Sequence, residues 1–181
     1  MSKGKQRVFV IIDGSNFYHR LKEIKVKNQL QFDFIGFVKL LVGGDKLVKT
    51  SYYVGAIRTE KGNRKSFKLF KNQRKLFSFL EKQKIDIYRG YILKSDGYHE
   101  KGVDVKIAID ILIGAYEDFY DKAVLLSSDT DLLPAIDKAV SLGKTIQYIG
   151  FSHNPSLALI KHAKPAKLLT LDELLPFVKK K

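Results

Sequence analysis

Val8-Phe9-Val10-Ile11-Ile12-Asp13-Gly14-Ser15-Asn16 is the stretch on which the fold is read, and Ala123-Val124-Leu125-Leu126-Ser127-Ser128-Asp129-Thr130-Asp131 repeats its pattern later in the chain. Each is an unbroken apolar run that stops at a carboxylate. A run of this length without alternation is a strand buried on both faces, as in a parallel sheet. In such sheets ligands bind beyond the carboxyl ends of the strands. Two strands therefore carry Asp13, Asn16, Asp129 and Asp131 toward one rim.

Further apolar runs at Ser51–Ile57, Ile85–Leu93 and Thr145–Ile149 alternate with segments long enough for helices. The alternation predicts a Rossmann-like α/β sandwich, a mainly parallel sheet of about five strands with helices on both faces. There is no internal repeat, low-complexity block or linker, so a single domain is expected over residues 1–181. Two polar loops, 59–64 and 94–102, follow predicted strands and are placed over the rim. Near the C-terminus, Thr170 and Glu173 form a capping-box pattern for a short helix that Pro176 cuts off, followed by a basic tail, 179–181.

The balance of charge narrows the partner. Lys and Arg number 33 against 19 Asp and Glu, a formal charge of +14. This favours a polyanion. There is no cysteine, which excludes disulfides and thiolate metal sites. No stretch approaches the ~20 apolar residues of a spanning helix. A cytoplasmic protein with no membrane partner is expected.

Clustered carboxylates repel one another unless a cation neutralises them. Asp13 ends the first strand, and Gly14-Ser15 turns the chain before Asn16. Helix capping accounts for one residue of this turn, which offers three. Asp104 falls in the first turn of Val103–Ile113, a stretch apolar almost all round and read as a central, buried helix. Asp110 lies about 120° further round that helix, at ~100° per residue, and needs a partner of its own. Asp129 and Asp131 flank Thr130 directly after a strand, where both can approach one ion. Asp13, Asp104, Asp129 and Asp131 are the candidate metal ligands, with Asn16 beside them and Asp110 and Ser128 behind. An all-oxygen donor set points to Mg²⁺ or Mn²⁺. Carboxylates around such ions suit phosphodiester hydrolysis by activated water.

The segment Asn63–Gln83 supplies a second signal. At ~100° per residue Arg64, Lys68, Lys71, Lys75 and Lys82 share one stripe, with Leu69, Phe70, Leu76, Phe77 and Leu80 opposite. Glu81 is the segment's only acid, and an almost purely cationic face favours a nucleic-acid backbone over a solvated one. Arg58, Lys61 and Lys101 extend the basic surface toward the rim. Of the strand and loop tyrosines, Tyr98 is the candidate for stacking on bases.

Ile12-Asp13-Gly14-Ser15-Asn16, Lys101-Gly102-Val103-Asp104-Val105 with Asp110, and Ser127-Ser128-Asp129-Thr130-Asp131-Leu132 together resemble the NYN family of PIN-like nuclease domains, in particular its LabA-like branch. The resemblance implies a PIN-like fold, an acidic Mg²⁺ or Mn²⁺ pocket and RNA cleavage. Asp13, Asp104 and Asp129 match its pocket acids, Asp131 a further acid, Asn16 the neighbouring polar residue and Asp110 the mid-helix acid. Leu132 stands where the family often has Phe. The expected activity is a metal-dependent ribonuclease, an endonuclease on single-stranded or structured RNA; a homodimer is left open. The competing readings are a non-catalytic RNA-binding or regulatory protein and, from Asp129-Thr130-Asp131, a DxD phosphatase. The last lacks the usual first-strand position of that motif.

Overall fold

β1 (Arg7–Asp13) and β5 (Lys122–Leu126) lie side by side and parallel at the centre of the sheet, with Ile12 opposite Leu126. In a computed structural model, which describes residues 4–26, 31–57, 59, 62–94 and 98–178, seven strands form one sheet. β2 (Lys46–Gly55) and β3 (Asp86–Lys94) extend it on one side, and β6 (Thr145–Phe151) on the other. All of these run parallel. Two edge strands stand beyond the five expected. β4 (Tyr98–Lys101) folds back antiparallel on β3 inside the segment read as a loop, and β7 (Ala166–Leu169) pairs parallel with β6. Both are four residues long, and edge strands need no apolar face. The spatial order is β4-β3-β2-β1-β5-β6-β7.

Alternation along the central strands sends side chains to two separate cores. Val8, Val10 and Ile12 pack under α1 (Gly14–Glu23), α2 (Phe34–Val42) and α3 (Arg64–Lys82), where Phe17, Phe32, Phe34 and Phe37 cluster ring against ring. Phe9 and Ile11 pack under α4 (Val103–Tyr116), α5 (Leu133–Ser141) and α6 (Leu157–His162). The capping box forms at Thr170, opening a short α7 (Leu171–Leu174) before the turn at Leu175–Phe177. Among the described residues no helix is long and apolar enough to cross a membrane.

α4 departs from its reading as a wholly buried helix. Val103, Ile107 and Ile111 are buried, but Val105, Ile109 and Ile113 are 61%, 44% and 46% exposed. Composition records that a helix is apolar all round; it does not record whether both sides have something to pack against. α3 matches its expected span closely, capped by the Asn63 side chain, which accepts from the Lys65 and Ser66 amides. Its apolar side is narrower than expected: Leu76, Phe77 and Leu80 are buried, whereas Leu69 is exposed.

One polar side chain on α3 holds the end of β2 in place. The buried Gln73 donates to the Gly55 carbonyl and accepts from the Ile57 amide, both at 2.7 Å. Together these bonds extend the hydrogen bonding of the sheet past its last paired residue. Replacing this amide by an isosteric alkyl group strands two main-chain groups. Gln73→Leu should cost about 2–4 kcal/mol, read as a lower urea midpoint at unchanged slope. An unchanged midpoint would mean that water satisfies both groups.

Candidate active site

The rim beyond β1 and β5 is organised around Asp13. The strand ends here because Asp13 caps α1, its Oδ1 accepting from the Asn16 amide at 3.0 Å. Its Oδ2 accepts from the Ser127 hydroxyl at 2.8 Å. Ser127 Oγ in turn accepts from the Asp129 amide at 3.1 Å, and Asp129 Oδ1 accepts from the Asp131 amide at 2.9 Å. Gly14 is required at the turn, since a Cβ there would overlap the ring of Tyr52. Asp13 is only 4% exposed, and burial pushes its carboxyl above the usual range; the two hydrogen bonds oppose this, while the charges of Asp104 and Asp129 add to it.

Asp104 reaches the same rim from the first turn of α4, which starts at Gly102 in the left-handed region (φ 84°). Its carboxyl is also raised, first by partial desolvation, then by Asp129 and Asp131. The charges of Asp104 and Asp129 thus bear on Asp13, and those of Asp129 and Asp131 on Asp104, across three separate segments. Among the described residues none of them has a Lys, Arg or His partner, although Asp45, Asp86, Asp110, Asp118 and Asp121 each pair with a cation. No three His, Asp or Glu side chains among the described residues already surround a common point. Like charges stand apart in this way when nothing positive lies between them.

The model of the NYN domain family matches residues 7–169. The chain belongs to the NYN family. This is a family of PIN-like nuclease domains, so a hydrolase of nucleic-acid phosphodiesters is the coarse assignment. A solved structure of a protein of unknown function from Vibrio parahaemolyticus superposes with a TM-score of 0.71 at 21% identity, over 96% of this chain and 97% of that one. That likeness bears on the fold alone. No curated protein matches the chain.

The remaining positions of this NYN domain separate into three groups. Asp110 is held by its own partners: Lys106 Nζ donates to its Oδ1 at 2.5 Å and the Tyr53 hydroxyl to its Oδ2 at 2.7 Å. Ser128 lies 3.5 Å from the Tyr148 hydroxyl, and the Asn16 side chain is half-buried beside Asp13. Arg64, Lys68, Lys71 and Lys75 form an exposed row along α3, and Lys101 ends β4. Arg58, Lys61, the tail 179–181 and the Tyr98 side chain lie outside the described residues.

Two features were missed from sequence. One is Ser127, read only as part of a strand end. The other is a groove of about 500 Å³ between α1 and α3, beginning at Gly14 beside Asp13. A serine at a strand terminus opposite an aspartate at the neighbouring terminus becomes a signal only once β1 and β5 are known to be adjacent.

Removing the Ser127 hydroxyl takes away a bond that favours ionised Asp13, so in Ser127→Ala the Asp13 carboxyl should titrate at higher pH, read by carboxyl ¹³C NMR. The folded value lies above the unfolded one. The group's contribution to stability is thus complete below the unfolded pKa and lost as pH rises through the folded value. The variant should lose stability relative to the parent mainly at pH above the folded Asp13 value, where the carboxylate is ionised. An unmoved Asp13 titration would show that the hydroxyl does not govern this carboxylate.

Proposed function

We propose that the protein is a metal-dependent ribonuclease that hydrolyses RNA phosphodiesters endonucleolytically. The observation that carries this reading is the set of acids at one rim, two of them with carboxyls raised by their neighbours' charge, for which no cationic partner stands among the described residues of a chain of charge +14. Asp13, Asp104, Asp129 and Asp131 would hold one or more divalent ions, and their oxygen-only donor set fits Mg²⁺ or Mn²⁺. A bound ion would lower the pKa of a water and stabilise charge on the phosphorus oxygens.

The chain's own groups supply the positioning. Asp13 is fixed on both oxygens by Asn16 N and Ser127 Oγ, so its orientation is set before any substrate arrives. Asn16 adds a neutral amide beside it, suited to orienting water or a phosphate oxygen without further repulsion. The exposed lysines of α3 and Lys101 would bind the RNA backbone, giving salt-sensitive affinity. A second reading, RNA binding without turnover, is favoured by the open spacing of the carboxylates.

The two readings separate on incubation of RNA and DNA oligonucleotides with Mg²⁺, Mn²⁺ or EDTA. RNA cleavage should require the metal and fall by ~100-fold or more in Asp13→Asn and Asp129→Asn, with RNA affinity largely kept. Metal-independent cleavage that survives both substitutions would reject the proposal. Binding without turnover in either metal would select the second reading.

Asp104→Asn should divide stability from activity. It removes a repelled charge that makes no hydrogen bond among the described residues, so the melting temperature at pH 7 should rise while cleavage falls. Mn²⁺ should raise the melting temperature of the parent more than that of this variant. Equal metal-induced shifts would remove Asp104 from the ligand set.

A further inference from the structure

The groove between α1 and α3 is built for something other than a phosphate backbone. At about 500 Å³ it falls within the size range of small-ligand pockets. Tyr18 and His19 on α1 form one wall, their rings 5.9 Å apart and edge to face, and Tyr18 is 42% exposed. Leu69 and Ile57 give an aliphatic surface opposite. Asn72, half-buried on α3, brings an amide with both donor and acceptor, and its side chain makes no hydrogen bond within the protein among the described residues. Aromatic and aliphatic walls with one uncommitted amide match an unstacked nucleobase, whose faces stack and whose edge hydrogen-bonds.

Charge and position add to this. Lys22 follows Tyr18 and His19 by one turn, and Lys65 and Lys68 precede Leu69 and Asn72 by one turn on the same side of α3; all three are exposed. The groove mouth is therefore flanked by cations, whereas its inner end reaches Gly14, next to Asp13. We propose that this groove receives a single base of single-stranded RNA, that of the nucleotide adjacent to the phosphate at the acidic rim. The proposal rests on the ribonuclease reading and names its substrate form: an unpaired strand with one base turned out of the stack.

Binding is tested apart from cleavage, using fluorescently labelled single-stranded RNA in EDTA with Asp129→Asn as the parent background. Adding Tyr18→Ala should weaken binding about 5- to 100-fold, the loss expected for one base–aromatic stack, and Tyr18→Phe should restore it. Asn72→Ala should weaken binding to some bases more than others. An RNA carrying one abasic nucleotide should lose affinity at a single position, and only when Tyr18 is intact. Duplex RNA of the same sequence should bind independently of Tyr18. In the active enzyme Tyr18→Ala should raise KM more than it lowers kcat. Equal affinities for parent, Tyr18→Ala and Asn72→Ala, or indifference to abasic sites, would overturn the base pocket while metal-dependent cleavage stands. Tyr18-dependent binding by a protein that never cleaves would keep the pocket and reject the nuclease. An unchanged melting temperature on Tyr18→Ala separates lost contact from lost fold.

Discussion

The hydrogen bond from Ser127 to Asp13 ties together the ends of the two central strands, between residues 114 apart in sequence. A buried carboxylate is costly unless its oxygens are satisfied, and each oxygen of Asp13 receives one donor. The same serine oxygen accepts the Asp129 amide, and Asp129 accepts the Asp131 amide. The turn after β5 is thus assembled on the carboxylate that ends β1. Register makes this feasible: Ile12 stands opposite Leu126, which leaves the next residue of each strand side by side. The position of Asp129 is a consequence of how Asp13 is satisfied.

Charge is divided between the two ends of the sheet. Where β1 and β5 begin, Arg7 binds Asp121 and Asp118, Lys144 also binds Asp118, and Lys122 binds Asp45 at 2.6 Å. Arg7 and the strand amide hold the Asp121 carboxyl down to about 2. The more exposed of these pairs, such as Arg7 with Asp118, contribute little to stability individually. Their effect on the distribution of charge is larger, because acids at that end are paired with cations, whereas Asp13, Asp104, Asp129 and Asp131 have no such partner among the described residues. Negative charge is thus gathered at the rim of a strongly basic protein. Holding like charges close together costs stability, and that cost is what the proposed ligand would offset.

The strands that carry the candidate site were legible because burial on both faces leaves an unmistakable apolar run, and its candidate acids stand out because they stop those runs. Asp104 was found through the helix start after Gly102. Other features depend on contacts that no local pattern records. β4 and β7 are edge strands of four residues each, too short to show the apolar run that marks β1. The exposed row of Val105, Ile109 and Ile113 has the same composition as a buried face. Ser127 and the groove each require segments far apart in the chain to be neighbours before they acquire meaning.

The two acids of α4 show how a single helix serves both ends of this division. At ~100° per residue, Asp104 and Asp110 point about 120° apart, so they cannot share a small site. Asp110 lies against the sheet instead, taking the Tyr53 hydroxyl and the Lys106 ammonium. That ammonium also sits 4.8 Å from the Tyr88 ring centre, and Tyr88 stacks on Tyr53 at 5.2 Å. Charge, hydroxyl and ring contacts close on one another, so this side of the helix has one good rotational setting. Burial of Val103, Ile107 and Ile111 would tolerate small rotations, because apolar packing is not directional. The directional contacts of Asp110 are less tolerant. With that side held, the heading of the first turn of α4 is set as well, and with it the direction of Asp104, a candidate ligand in the proposed site.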